Sequence, residues 1–370
     1  MLDRRLINNF DWIILTLLIL VGLLGVLNLY SATFSVRSLG ESQIVVKQIC
    51  WYAIGFLVLV LMTTFDYHIL ERFAYPFFLV CLVLLGAVLK VGAVAHGSQR
   101  WMCFRYFCIQ PSEMVKVALI VVLAKHFSET ERAGSYRVRD LLRPLVVTAL
   151  PFALIIYQPD LGTAMMLLMI SFSVIMFANR NWNSVLILLS AAVLSAPFFW
   201  LSLQGYQKRR IIAFLRPDLD PLGAAYHVTQ SKIAIGSGLF WGKGFLKGTQ
   251  TRLHFLPQQH TDFSFSVLAE EWGFMGSAVV LFLYLFLILW CLNIARSSKD
   301  KFGTLIVVGV AASLFWHLTV NVSMVTGLLP VVGIPLVLFS YGGSSVISMM
   351  AAMGLVMNVS MRRFMFQEQP

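Results

Sequence analysis

Long apolar stretches alternate with short polar ones along this chain of 370 residues. A helix needs about 20 apolar residues to cross a bilayer. The pattern predicts ten such spans, near residues 11–31, 47–65, 69–89, 112–128, 141–157, 160–179, 183–203, 272–295, 304–326 and 337–359. The fourth is short and carries Glu113 and Lys116, so it is expected to face protein or water rather than lipid. Prolines and paired glycines interrupt the last stretch: Pro330, Pro335 and the run Ser340-Tyr341-Gly342-Gly343-Ser344-Ser345. Such a break either kinks a helix or frees backbone to line a cavity. One polar stretch is long, about residues 204–263, between spans seven and eight. The first apolar run is read as a retained helix, with no clear small-residue cleavage site after it. The expected fold is an all-α integral membrane protein, one polytopic domain over residues 1–370 without internal repeats.

Composition makes the membrane reading firm. The chain is 59% hydrophobic and 12% charged, with a mean hydropathy of +0.81. Soluble domains average about 25% charged residues, and a water-soluble fold could not hide this much apolar surface.

The net charge of +11 could suggest nucleic acid, but its placement argues otherwise. With the N-terminus inside, the inside segments hold fourteen Lys and Arg, from Arg4 and Arg5 to Arg362 and Arg363. The short outside loops hold five: Arg37, Lys47, Lys90, Arg100 and Arg105. That is the positive-inside pattern, and it puts both termini in the cytoplasm. The long stretch then lies outside. It carries Lys208, Arg209, Arg210, Arg216, Lys232, Lys243, Lys247 and Arg252 against Asp218, Asp220 and Asp262. Long loops escape the positive-inside rule. Eight cations against three carboxylates at an outer surface attract either lipid head groups or a phosphate-bearing substrate.

Other chemistry is more ambiguous. Asp262 stands beside Phe263 and Phe265 at the start of an apolar helix. It suits either a helix N-cap or a general base whose pKa is raised by lost hydration. Asp160, in Gln158-Pro159-Asp160-Leu161-Gly162, reads as an N-cap. His260 reads as an interface residue or a catalyst. Glu270 and Glu271 either reach water or need partners, for which Lys116 and Arg100 are candidates. Gly236, Gly238, Gly242, Gly244 and Gly248 are turn glycines or a phosphate cradle without Walker spacing. Cys103 and Cys108 share one loop, within reach of a disulfide if that loop faces an oxidising compartment.

Several ordered stretches resemble one family. They are Phe107-Cys108-Ile109-Gln110-Pro111-Ser112-Glu113, Gln158-Pro159-Asp160-Leu161-Gly162-Thr163, Asp220-Pro221-Leu222-Gly223 through Tyr226-His227, and Gln230-Ser231-Lys232-Ile233-Ala234-Ile235-Gly236-Ser237-Gly238. His260-Thr261-Asp262-Phe263, Leu329-Pro330-Val331-Val332-Gly333-Ile334-Pro335-Leu336 and residues 340–345 complete the set. Together they resemble the SEDS proteins (shape, elongation, division and sporulation), in the RodA branch, with its GT-C-like fold. The Val332-Gly333-Ile334-Pro335-Leu336 wording is similar to the elongation branch rather than the division branch, FtsW. Gln259, Ala225 and Val337 depart from the residues common in the branch, where an acid, Gly and Pro are usual.

The resemblance implies a peptidoglycan glycosyltransferase of the bacterial cytoplasmic membrane. It polymerises lipid II and releases undecaprenyl pyrophosphate, with Asp262 as the catalytic aspartate. Arg100, Arg209, Arg210, Lys232 and Lys243 become candidates for holding the pyrophosphate, with a divalent cation (Mg or Mn) as a conceivable helper. Trp101 would pack on sugar or lipid. Glu113 and Lys116 would line the cavity beneath the loop, and Gln230, His260, Ser340 and Ser344 join the substrate-binding set. The implied partners are a class B penicillin-binding protein and other membrane proteins of the elongation complex, with no nucleic acid. A lipid II flippase and a non-catalytic scaffold are the competing readings. A flippase usually shows repeat symmetry, which the sequence lacks.

Overall fold

The computed structural model describes residues 9–34, 43–95, 98–103, 108–130, 136–179, 181–216, 218, 223–253, 255–256 and 258–363. Arg4, Arg5, Arg37, Arg105, Phe107, Arg132, Arg180, Asp220, Pro221, Leu222 and Pro257 lie outside the described residues.

Apolar sequence at membrane depth can satisfy its backbone only as helix, and helices take up each predicted span. They are α1 (Trp12–Phe34), α2 (Gln43–Thr64), α3 (Tyr67–Val91), α4 (Pro111–Glu129), α5 (Val138–Tyr157), α6 (Leu161–Ala178) and α7 (Trp182–Ser202). Three shorter helices follow, α8 (Gly205–Leu215), α9 (Ala224–Gly238) and α10 (Thr249–Arg252). The chain closes with α11 (Ser264–Ser297), α12 (Lys301–Thr326) and α13 (Gly343–Arg362). Among the described residues, eight of the helices are long and apolar enough to cross a membrane; α4 and α7 are the remaining two of the predicted spans. As expected from its charges, α4 is a core helix, packed against α3, α6 and α12 with most of its side chains buried. The expectation of helices alone misses one feature. Between α3 and α4 the chain forms a small antiparallel sheet, β1 (Ala93–Ala95), β2 (Ser98–Cys103) and β3 (Cys108–Ile109). Cys103 and Cys108 face each other across the β2–β3 register and form a disulfide.

Two predicted boundaries move. Span eight was expected from residue 272, but α11 begins at Ser264 and kinks at Gly273, whose φ is +62°. The backbone after α9 docks into that kink. Phe274 N donates to Leu239 O at 2.9 Å, and Lys243 N and Gly244 N donate to the Glu270 and Glu271 carbonyls at 3.0 and 2.9 Å. Contact is so close that a Cβ on Gly242 would lie 2.1 Å from Glu271 O. The glycines here serve backbone docking, and these two amides are not open to a phosphate. Span ten was expected from residue 337, but α13 begins at Gly343. Residues 327–342 leave regular helix after the left-handed cap at Gly327. Their carbonyls find side-chain donors, as non-helical backbone at this depth must. Ile334 O accepts from Asn321, Val337 O from Tyr284, Leu338 O from Tyr52 and Ser340 O from Gln48.

Candidate active site

Asp262 lies in the tight turn over residues 258–263 that leads into α11. Thr261 N and Phe263 N both donate to Gln258 O, at 3.1 and 3.4 Å. The turn is held from outside as well. Gln259 Nε2 donates to Ala32 O of α1 at 2.7 Å, and Tyr341 N donates to His260 O at 2.9 Å. Asn321 Nδ2 donates to Asp262 O at 2.9 Å. The N-cap position of α11 is Phe263, with no side-chain cap bond, so Asp262 is not the cap. Its carboxylate backs onto Gly333, where a Cβ would sit 3.4 Å from Oδ2. Withdrawal from water pushes the Asp262 carboxyl up to about 6, against the opposing pull of Arg210, Arg100 and the Thr261 hydroxyl. A carboxylate poised near neutrality is what a general base requires.

Beside this turn runs a groove with two lobes. One is lined by Arg100, Pro159, Leu161, Met165, Gln207, Arg210, Ile211 and residues 330–332. The other is lined by Arg210, Ala213, Phe214, Ala225, Val228, Thr229, Lys232, Gly327 and Val331. Arg210 and Val331 belong to both, so the lobes are continuous. Three cations from distant parts of the sequence converge here: Arg100 from β2, Arg210 from α8 and Lys232 from α9. Each is positioned differently. Arg100 Nη2 donates to Pro159 O at 2.9 Å, and its Nε lies 3.4 Å from Asp160 Oδ2. Arg210 Nη1 donates to Val331 O at 3.3 Å. The Lys232 stem lies over Gly327, where a Cβ would be 2.0 Å from its Cε. Asp160 caps α6 through Thr163 N and Oγ1, at 3.2 and 2.9 Å, as its motif predicts, and also fixes Arg100. His227 of α9 rings the same region, tilted 6.4 Å from Phe263. Burial and the charge of Arg210 hold the His227 imidazole below its usual range, hence neutral.

Other expected site residues are employed elsewhere. Lys243 is 2.7 Å from Glu270 Oε1, so it does not face the groove as a free cation. Glu270 is 0% exposed and also accepts from Gln250 N, Thr251 N and Thr251 Oγ1. Glu271 takes the Ser31 hydroxyl at 2.5 Å. Neither acid reaches water, and neither is paired with Lys116 or Arg100. Lys116 instead bridges Glu113 at 2.8 Å and His317 Nε2 at 3.0 Å inside the helix core. That buried triad does not line the groove. Ser340 Oγ bonds Ser264 Oγ at 2.5 Å and accepts from Leu336 N, while Ser344 Oγ accepts from Gln110 N at 3.0 Å. Both hydroxyls brace backbone. Arg209 is exposed on α8, and Gln230 and Trp101 are half-buried; among the described residues none of the three lines either lobe. His260 stays beside Asp262, its ring 6.2 Å from that of Tyr341. Among the described residues no group of three or more His, Cys, Asp or Glu gathers that could hold a metal ion. Sequence reading passed over Asn321 and His317, although a polar side chain midway along an apolar helix is itself a signal.

The geometry has close relatives. The model of the "Cell cycle protein" family that groups FtsW, RodA and SpoVE matches residues 10–364. A peptidoglycan glycosyltransferase, MrdB of Escherichia coli K12, is 39% identical over 354 residues, covering 95% of this chain and 94% of that one. A peptidoglycan glycosyltransferase, RodA of Treponema pallidum, is 32% identical over 97% of this chain and 99% of its own length. Among solved structures, a chain of a peptidoglycan synthase complex that coordinates polymerization and crosslinking superposes with TM-score 0.83 at 32% identity, covering 97% of this chain and 99% of that one. The rod shape determining protein RodA of Thermus thermophilus superposes with TM-score 0.72 at 30% identity, over 96% and 98%. By this match over nearly its whole length, the chain belongs to the FtsW/RodA/SpoVE family.

Proposed function

We propose that this protein is the elongation-type peptidoglycan glycosyltransferase of its cell, polymerising lipid II with Asp262 as general base. The observation that carries the reading is one half-buried carboxylate, held up to about 6, within electrostatic reach of Arg210 and Arg100, which line the groove together with Lys232. Asp262 takes the proton from the 4-hydroxyl of the acceptor N-acetylglucosamine. That oxygen forms a bond to the anomeric carbon of the donor N-acetylmuramic acid. The bond from that carbon to the pyrophosphate oxygen breaks, with inversion, and the lipid pyrophosphate carries the electron pair away. Pyrophosphate leaves readily without a strong acid, and preorganised cations stabilise its developing charge. Here those cations are Arg100, Arg210 and Lys232. A divalent cation, carried mainly by the pyrophosphate and water, would add to that charge without needing a protein cage.

The groove is placed on the extracytoplasmic face, with both termini cytoplasmic, on the Lys and Arg asymmetry of the short loops. The Cys103–Cys108 disulfide beside Arg100 supports that side, since such bonds persist in oxidising compartments. A class B penicillin-binding protein, the transpeptidase that would cross-link the product, is the proposed partner. The solved complex named above is the support for it.

The test is lipid II polymerisation by purified protein in detergent, with and without chelator. Wild type should form glycan polymer, and Asp262→Ala should bind the partner yet form none. Polymer at the wild-type rate from Asp262→Ala would sink the base assignment. Absence of polymer from wild type together with its partner would revive a transport or scaffold role.

A further inference from the structure

Tyr52, Tyr284 and Gln48 each bond the non-helical backbone between α12 and α13. Asn321 is different. Its amide donates to Ile334 O at 2.7 Å and also to Asp262 O at 2.9 Å. Only the NH₂ end of an asparagine can serve two carbonyls, so its orientation is dictated by its partners. The residue is 0% exposed and sits on α12, where the helix fixes its Cα. One short, immobile side chain therefore ties two separate pieces of chain together: the turn that carries Asp262 and the segment that carries Gly333. Gly333 has φ +75°, and the Asp262 carboxylate rests against it. Fixing Ile334 thus also fixes the wall behind the carboxylate.

We infer that Asn321 is a positioning residue for glycosyl transfer, clamping the Asp262 turn against the Ile334 backbone so that the carboxylate keeps its place against Gly333. The inference rests on the reading of Asp262 as the base. Asn321 touches no reacting atom; it acts through the main chain of Asp262. Without the clamp, the Ile334 and Asp262 carbonyls lose their Asn321 donor and the turn relaxes towards water. Two consequences follow. The attack geometry loosens, and misplacement on the ångström scale costs about a hundredfold in rate. Asp262 also regains hydration, while Arg210 and Arg100 still favour its ionised form and Asp160 opposes it. Its titration therefore moves down.

The experiment uses full-length protein with Asn321→Ala, with Asn321→Leu, which fills the space and suits a helix, and with Asp262→Ala. Lipid II polymerisation is followed from pH 4.5 to 8, giving kcat and KM separately, with rates scaled to the folded fraction from thermal melts. Both Asn321 variants are expected to lose kcat by roughly tenfold to a hundredfold. KM should stay within about twofold, because the groove cations are intact. The acid limb of the kcat profile should move to lower pH. A merely structural asparagine would lower the folded fraction but leave kcat and the limb of the folded molecules unchanged, and that result overturns the inference. The outcome with Asp262→Ala separates the two ideas. If Asp262→Ala is inactive and the Asn321 variants are normal, the clamp alone fails. If Asp262→Ala is active, the base assignment fails and takes the clamp with it.

Discussion

Two parts of the 204–263 stretch carry the same kind of charge and use it differently. Arg210 and Lys232 line a groove, and the charge of Arg210 reaches the Asp262 carboxyl. Around Lys243, Glu270 is folded directly underneath, and the ammonium closes a buried clasp with Thr249, Gln250 and Thr251. The first arrangement presents positive charge to a groove. The second cancels it and converts it into rigidity. What a cation in this family member does is decided by the nearest acid in space, and both local sequences are equally basic.

The largest effect that would sharpen this contrast is at Asp262. Asp262→Asn should lower polymerisation by about 10²–10⁴, the worth of a general base, with thermal stability in detergent unchanged or raised. A comparable loss of stability would instead move Asp262 into the structural class with Glu270. Next comes Lys243→Met, which strands a buried carboxylate. Breaking a buried ion pair costs roughly 3–5 kcal/mol, and the backbone donors left on Glu270 favour the lower end, about 3 kcal/mol. Melting in detergent checks this. An unchanged melt combined with a raised KM for lipid II would put Lys243 back among the substrate cations.

Arg210→Gln should do the opposite: raise KM for lipid II about tenfold or more, as expected for a lost charged hydrogen bond, and leave the melt alone. The pH dependence follows from the raised carboxyl of Asp262. The base works ionised, so rate falls as pH falls through about 6, reaching roughly a tenth of its maximum at pH 5. A rate flat from pH 7 to 5 would contradict the assignment. The smallest expected effect lies at the rim. Reducing the Cys103–Cys108 bond, or making Cys103→Ser with Cys108→Ser, should raise KM about two- to threefold, because the hairpin that carries Arg100 is then free to fray. Retention of wild-type KM would show that Asp160 and Pro159 hold Arg100 unaided.

Much of the architecture was legible before any coordinates. Hydrocarbon imposes long apolar helices, so ten spans could be counted, and the charges of α4 betrayed a core helix. Boundaries were less legible at α11 and α13. There, Gly273 and residues 327–342 break the helix for reasons of docking, which no local propensity records. The small sheet was missed because its strands are two to six residues long. In the site, Asp262 stood out as the last acid of a basic stretch, the family resemblance singled it out as the catalytic aspartate, and the backbone at Phe263 showed that it is not the cap. Asn321 was overlooked because its function depends on Asp262 and Ile334, which meet it only in the fold.

The sequence by itself determined a membrane protein of about ten helices, the family to which it belongs, and a surplus of cations beside one carboxylate. These depend on composition and order, which the chain carries openly. The tertiary structure alone decided which cations share a groove. Arg100, paired with Asp160, meets Arg210 and Lys232 there, while Lys243 is drawn away to Glu270. The reason is that electrostatic pairing falls off with distance in space, and Arg100, far from Arg210 and Lys232 in sequence, becomes their neighbour only after the helices pack. What began as one basic loop is therefore a groove and a clasp, with the carboxylate of Asp262 set against Gly333.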